Sequence, residues 1–84
     1  MTNKYKQYLN TIQWQLKRQQ IFDRARKNAN SYNMYGVCEK CGYEPYKACL
    51  QVHHLTYDNI YNEKLEDLIL LCPYCHKEIH EKAK

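Results

Sequence analysis

Apolar residues recur along the first thirty positions at helical rather than alternating intervals. Tyr5, Tyr8, Leu9 and Ile12 follow i, i+3, i+4, i+7 spacing. Trp14, Ile21, Phe22, Ala25 and Ala29 continue at helical intervals, with no Pro or Gly before Gly36. A helical segment is predicted from residue 3 to about residue 30. Asn10 or Thr11 can cap a second start, so the segment is either one bent helix or a short helix followed by a longer one. Asn28, Asn30, Ser31 and Asn33 then weaken the pattern, and Gly36 ends the approach to a first cysteine pair. Beyond it the period changes to two. Ala48, Leu50 and Val52 alternate with Lys47, Cys49 and Gln51, which predicts a strand over 47–54. A polar connection over 55–66 leads to a short apolar strand, Leu68 to Leu71. Pro73 suits the first turn of a helix over about 73–82, with Ile79 on the face of His76 and His80. The expected fold class is α+β: a basic helical arm over 1–35 joined to a knuckle, strand, loop, strand and helix over 36–84, forming one compact domain overall.

Length and composition narrow this further. An 84-residue chain with two Gly, two Pro and 26% charged residues has room for one small domain and one site. Its longest apolar run, Leu68 to Cys72, is far short of the roughly 20 residues a membrane span needs. The start, Met-Thr-Asn-Lys-Tyr-Lys-Gln, lacks the apolar core of a secretory signal, so a cytoplasmic location is expected, in a bacterial cell or a phage-infected host. Formal net charge is +4, unevenly spread: Lys4, Lys6, Lys17, Arg18, Arg24, Arg26 and Lys27 face Asp23 alone in residues 1–35. A basic arm beside a mildly acidic module suits a polyanion such as nucleic acid, although a solvated helix face has the same composition.

Domains this small often need a staple, and an odd count of five cysteines argues against a complete disulfide framework. Four fall into two Cys-x-x-Cys pairs, Cys38/Cys41 and Cys72/Cys75. In this spacing a tight turn presents both sulfurs to one ion, and two pairs complete the tetrahedral set of a structural zinc. Gly42, after the second cysteine, allows the chain to turn back with positive φ. Cys49 is left as a core residue. A closed four-thiolate site has no open position and performs no reaction, so any chemistry lies elsewhere.

All four histidines lie in the last 32 residues: His53 and His54 at the end of the first strand, His76 and His80 on the last helix. His76 and His80 stand at i, i+4 on one face, and if the last helix packs across the hairpin a strand-end histidine completes a three-imidazole site with open positions, catalytic in form. Taken singly, His76 can be a spare zinc ligand, His80 a favourable charge at a helix C-terminus, and one strand histidine a core residue. Alternation puts His53 and His54 on opposite sides of the strand, so one faces away from the helix unless a twist or bulge turns both into one groove.

Val52-His53-His54-Leu55-Thr56-Tyr57 followed by Leu65-Glu66-Asp67-Leu68-Ile69-Leu70-Leu71-Cys72-Pro73-Tyr74-Cys75-His76-Lys77-Glu78-Ile79-His80 resembles the HNH endonucleases, specifically the small zinc-stapled members of bacteriophages and mobile elements. The resemblance covers roughly residues 36–82. It implies a ββα-metal (His-Me finger) fold and cleavage of DNA phosphodiester bonds, as nicks or double-strand breaks, leaving 5′-phosphate and 3′-hydroxyl ends. His54 would be the general base that takes a proton from the attacking water, and His53, His76 and His80 the ligands of a catalytic divalent ion, Mg²⁺, Mn²⁺, Ni²⁺ or Zn²⁺. The family's middle asparagine is Asp67 here, which is either a carboxylate ligand or a loop brace with altered hydrogen bonds. Phosphate contacts are expected from Lys17, Arg18, Arg24, Arg26 and Lys27, whereas Trp14, Tyr57 and Tyr61 are expected to pack. Partners implied are DNA and a larger phage or mobile-element assembly; a dimer would supply two sites for two strands. The competing function is a catalytically inactive zinc module that binds DNA or protein, with Asp67 a sign of lost activity. On the enzyme reading the cysteines form the staple and His54 the site, so replacing Cys38 or Cys72 should unfold the domain and His54→Ala should leave stability nearly unchanged.

Overall fold

The computed structural model of the protein describes residues 3–82, with the side chains of Asn3, Tyr5 and residues 80–82 outside that description. The helical arm is two helices, α1 (Asn3–Leu9) and α2 (Ile12–Ala29). Thr11 makes the break. Its backbone is extended, its Oγ1 accepts from the Trp14 N–H at 3.2 Å, and its hydroxyl donates to the Tyr8 carbonyl at 2.6 Å. One side chain therefore satisfies an orphan donor of the second helix and a carbonyl at the end of the first. At the far end Asn30 adopts the left-handed conformation (φ 54°). The Asn30 and Ser31 N–H groups donate back to the Lys27 and Arg26 carbonyls, a Schellman ending in which Asn replaces the more usual Gly.

Strands β1 (Gln51–His54) and β2 (Leu68–Leu71) pair antiparallel, with Gln51 opposite Leu71 and His54 opposite Leu68. The strand predicted from residue 47 therefore begins only at 51. β2 ends at Leu71 because Cys72 turns into the last helix, so residues 47–50 have no partner to pair with, and Lys47 and Ala48 are exposed. A 3₁₀ turn over Leu65–Asp67 precedes β2, and α3 (Pro73–Lys82) follows it. Among the described residues no helix is long and apolar enough to cross a membrane.

The hairpin is covered on both faces. Directly opposed residues share a face, so Val52, His54, Leu68 and Leu70 point one way and His53, Ile69 and Leu71 the other. α2 packs on the first face and α3 on the second, which is why Leu68, Leu70 and Leu71 are all essentially buried. Tyr8, Trp14, Ile21 and Ala25 of the arm share this buried cluster with Val37 and Leu50, so the arm completes the core of the metal-binding module. At Gly36 two demands coincide: φ is +91°, and a Cβ there would stand 2.8 Å from the Phe22 ring.

Candidate metal centre and active site

The four paired cysteines converge. One sulfur from each of Cys38, Cys41, Cys72 and Cys75 lies within 4.8 Å of the others, and Cys41 and Cys72 are 3.8 Å apart. Sulfurs bound tetrahedrally at the usual Zn–S distance stand about 3.8 Å apart, so donor type and spacing both fit one structural zinc. The turns are held locally. The Cys41 and Cys75 N–H groups point at the sulfurs of Cys38 and Cys72, and Gly42, at φ +81°, donates back to the Cys38 carbonyl. Burial raises the Cys38 thiol, but N–H donors from Cys41, Cys72 and Lys40 outweigh it and bring the group down to about 7. Burial pushes Cys41 and Cys75 up, with neighbouring sulfurs adding to the rise. A bound cation reverses that crowding. Cys49 stays outside the cluster, half-buried against the core and just upstream of β1.

Glu39, between the first two cysteines, fastens this cluster to the sheet. Its N–H donates to the Leu70 carbonyl and its carboxylate accepts from the Leu70 N–H, both at 2.8 Å, so the knuckle covers the open edge of β2. Arg24 of α2 grips the same carboxylate through Nε at 2.8 Å and Nη2 at 2.7 Å, and also donates to the carbonyls of Leu65 and Leu68. The sequence places Arg24 among the candidate phosphate contacts. Instead its guanidinium makes four hydrogen bonds inside the protein, and it locks α2, the knuckle and β2 together. Of the other candidates, Arg26 pairs with Asp23 and Arg18 lies over the Phe22 ring at 4.7 Å, while Lys27 is exposed and Lys17 half-buried.

At the other end of the hairpin the histidines divide. No bulge interrupts the β1–β2 pairing, so alternation holds and His53 and His54 occupy opposite faces. His53 meets His76 of α3 edge to face, with ring centres 5.4 Å apart. Two imidazoles sharing one ion at 2.0–2.1 Å have ring centres about 5 Å apart, a separation close to that of this pair. His80 follows one turn later on α3, and its side chain lies outside the described residues.

His54 turns toward the arm. Its Nε2 is 2.6 Å from Glu63 Oε2, and the other oxygen of Glu63 accepts from the Tyr8 hydroxyl at 2.6 Å. Trp14 and Tyr57 both stack on the imidazole, at 5.4 and 4.8 Å between centres; Trp14 is buried, as expected of a packing residue, whereas Tyr57 is 49% exposed. Tyr61 packs edge-on against Tyr8. Burial raises the Glu63 carboxyl, but the Tyr8 and His54 hydrogen bonds prevail and hold it below the usual carboxylate range. The His54 side chain is only 4% exposed, yet it lines a cleft of about 250 Å³ shared with Leu9, Trp14 and Arg18. This burial corrects the expectation that His54→Ala is neutral for stability, because the ring is both core and partner of a buried carboxylate. No sequence signal marks Tyr8, an apolar helix position, or Glu63 as a partner of His54. Glu63 sits in the polar stretch Asn62-Glu63-Lys64, where nothing in the local pattern separates it from a surface acid.

Asp67 is used by its own loop. Its Oδ2 accepts from the Asn59 amide at 2.9 Å and the Lys64 N–H at 3.0 Å, while its carbonyl accepts from the Leu55 N–H at 2.8 Å. The Asn59 bond, then the Lys64 bond, draw its carboxyl below the ordinary value. These contacts tie both ends of the 55–67 connection to the start of β2.

Two strands, the helix that follows and a four-cysteine cluster make the ββα-metal arrangement. Comparison with protein families matches residues 38–82, just over half of the chain, to the HNH endonucleases. No curated protein and no solved structure matches it. The matched span takes in both cysteine pairs, the histidine pair and α3, and on that ground the chain belongs to the HNH endonuclease family.

Proposed function

We propose that the protein is a metal-dependent DNA phosphodiesterase in which His54 is the general base, with structural zinc on Cys38, Cys41, Cys72 and Cys75. The observation that carries the reading is the meeting of His53 and His76, 23 positions apart in the chain and on different elements; the next residue, His54, lies on the other face of β1 and is paired with a carboxylate. His53 and His76, with His80, would hold a catalytic Mg²⁺, Mn²⁺, Ni²⁺ or Zn²⁺. Such an ion, when bound, supplies Lewis-acid polarisation of the scissile phosphate and charge stabilisation at the leaving oxygen. His54 takes the proton of the attacking water. Asp67 keeps the connection after His54 in shape. Lys17, Arg18, Arg26 and Lys27 lie on the arm that would meet the phosphate backbone, Arg18 directly in the cleft beside His54. Such contacts position the duplex without reading its sequence.

The low exposure of His54 favours a second reading, a zinc module that binds DNA or protein without cutting. Plasmid nicking with Mg²⁺, Mn²⁺ or Ni²⁺ separates the two. The enzyme reading predicts metal-dependent nicking that falls at least about 100-fold in His54→Ala, assayed below that variant's melting temperature. Equal inertness of both proteins with all three ions would leave the binding module standing.

A further inference from the structure

The Tyr8–Glu63–His54 chain joins α1, the 55–67 connection and β1, and no ion or substrate is needed to explain its geometry. Glu63 is 1% exposed and receives two hydrogen bonds of 2.6 Å, one on each oxygen. A phenol is protonated at neutral pH, so Tyr8 donates to Oε1. An ionised carboxylate can only accept, which obliges His54 Nε2 to carry a proton and donate to Oε2. A neutral imidazole has one N–H, so its lone pair is then on Nδ1. The ring cannot exchange the two edges easily. A flip about its Cβ–Cγ bond would break the Glu63 bond and sweep the ring through the stacked planes of Trp14 and Tyr57.

We infer that Glu63 is a positioning residue for the His54 base: it fixes the Nε2–H tautomer and so assigns proton abstraction from water to Nδ1. The inference rests on the reading of His54 as the base. In chemical terms Glu63 accepts no proton during the reaction; the water proton passes to Nδ1, and the imidazolium that forms is stabilised by the adjacent carboxylate. A fixed tautomer matters because a ring free to adopt Nδ1–H would present a protonated nitrogen to the water for part of the time. In serine proteases, loss of the carboxylate that sets the histidine tautomer lowers kcat by about 10⁴.

The test uses the full zinc-loaded chain. Long-range ¹H–¹⁵N correlation spectra of the His54 ring read the tautomer directly, and plasmid nicking is measured alongside. The expected wild-type spectrum shows one protonated ring nitrogen, Nε2. In Glu63→Leu, which removes both oxygens at similar bulk, both tautomers are expected, kcat falls by a factor of order 10²–10⁴, and KM for plasmid is unchanged. Tyr8→Phe removes only the far bond of Glu63 and lowers kcat by less. A wild-type ring protonated on Nδ1, or on both nitrogens at neutral pH, overturns the inference, even where Glu63→Leu does not fold. So does a single Nε2–H tautomer that persists in Glu63→Leu, whatever the activity. A tautomer that changes while nicking is unimpaired removes His54 from the reaction and overturns the reading beneath it as well.

Discussion

At one end of the hairpin, four sulfurs from two Cys-x-x-Cys turns face one another; at the other, imidazoles from β1 and α3 meet while a third is gripped by a glutamate. The sulfur end is built from short turns whose N–H groups already point at the ligands, so each half is preformed before the halves meet. The histidine end takes His53, His76, Glu63 and Tyr8 from four separate segments, and of these His76 alone is tied through the chain to a sulfur turn, next to Cys75. The dependence runs one way. Cys75 and His76 are adjacent and Glu39 ties the knuckle to β2, so loss of the sulfur end removes the histidine end too, whereas loss of an imidazole leaves the sulfurs in place.

Graded substitutions sharpen that asymmetry. The largest effect is expected for Cys72→Ser. Structural zinc contributes an apparent 10–16 kcal/mol in small zinc domains, roughly equal to or above the 5–15 kcal/mol total stability of most domains. The variant, like wild type stripped by a chelator, should therefore show no cooperative melting by circular dichroism. A sharp transition near the wild-type Tm would mean the sulfurs are not the staple.

Next comes Arg24→Ala, which leaves the Glu39 carboxylate and two carbonyls without their guanidinium. A loss of about 2–3 kcal/mol is expected, lowering Tm by roughly 10–20 °C. His54→Ala follows at about 2 kcal/mol, since it deprives a buried carboxylate of one donor. Smallest in stability is the combined Lys17→Gln, Arg18→Gln and Lys27→Gln variant, whose Tm should barely move while the salt dependence of DNA binding flattens by up to about 0.9 per charge removed. Thermal melts of the series against binding at graded salt check the order. If Arg24→Ala instead flattened the salt slope with no change in Tm, Arg24 would be a phosphate contact and its internal bonds incidental.

What could be read from the sequence follows the same division. Cysteine spacing, the helical period of α2, the apolar run of β2 and Pro73 are local signals, and each marks its element. The Thr11 break was visible as an alternative, since only the chain's actual path decides whether a potential cap is used. β1 came out shorter than its alternation because strand length is set by the partner, and β2 stops where Cys72 must turn toward the metal. Arg24 and Glu63 were least legible. A charged residue that pairs across 15 or nine positions looks the same in sequence as one on the surface. Asp67 has two chemically sound roles in sequence, and its Asn59 and Lys64 donors appear only when the loop is folded.

We propose that the chain carries two separate metal centres, one of sulfur and one of imidazole. Metal stoichiometry on zinc-loaded protein titrated with Ni²⁺ or Mn²⁺, beside the His53→Ala/His76→Ala variant, tests it most directly. The account predicts one retained zinc and one further ion per chain in the wild type, with the second ion lost and the zinc kept in the variant. A wild type that takes up no second ion, or a variant that binds it equally well, would contradict the account.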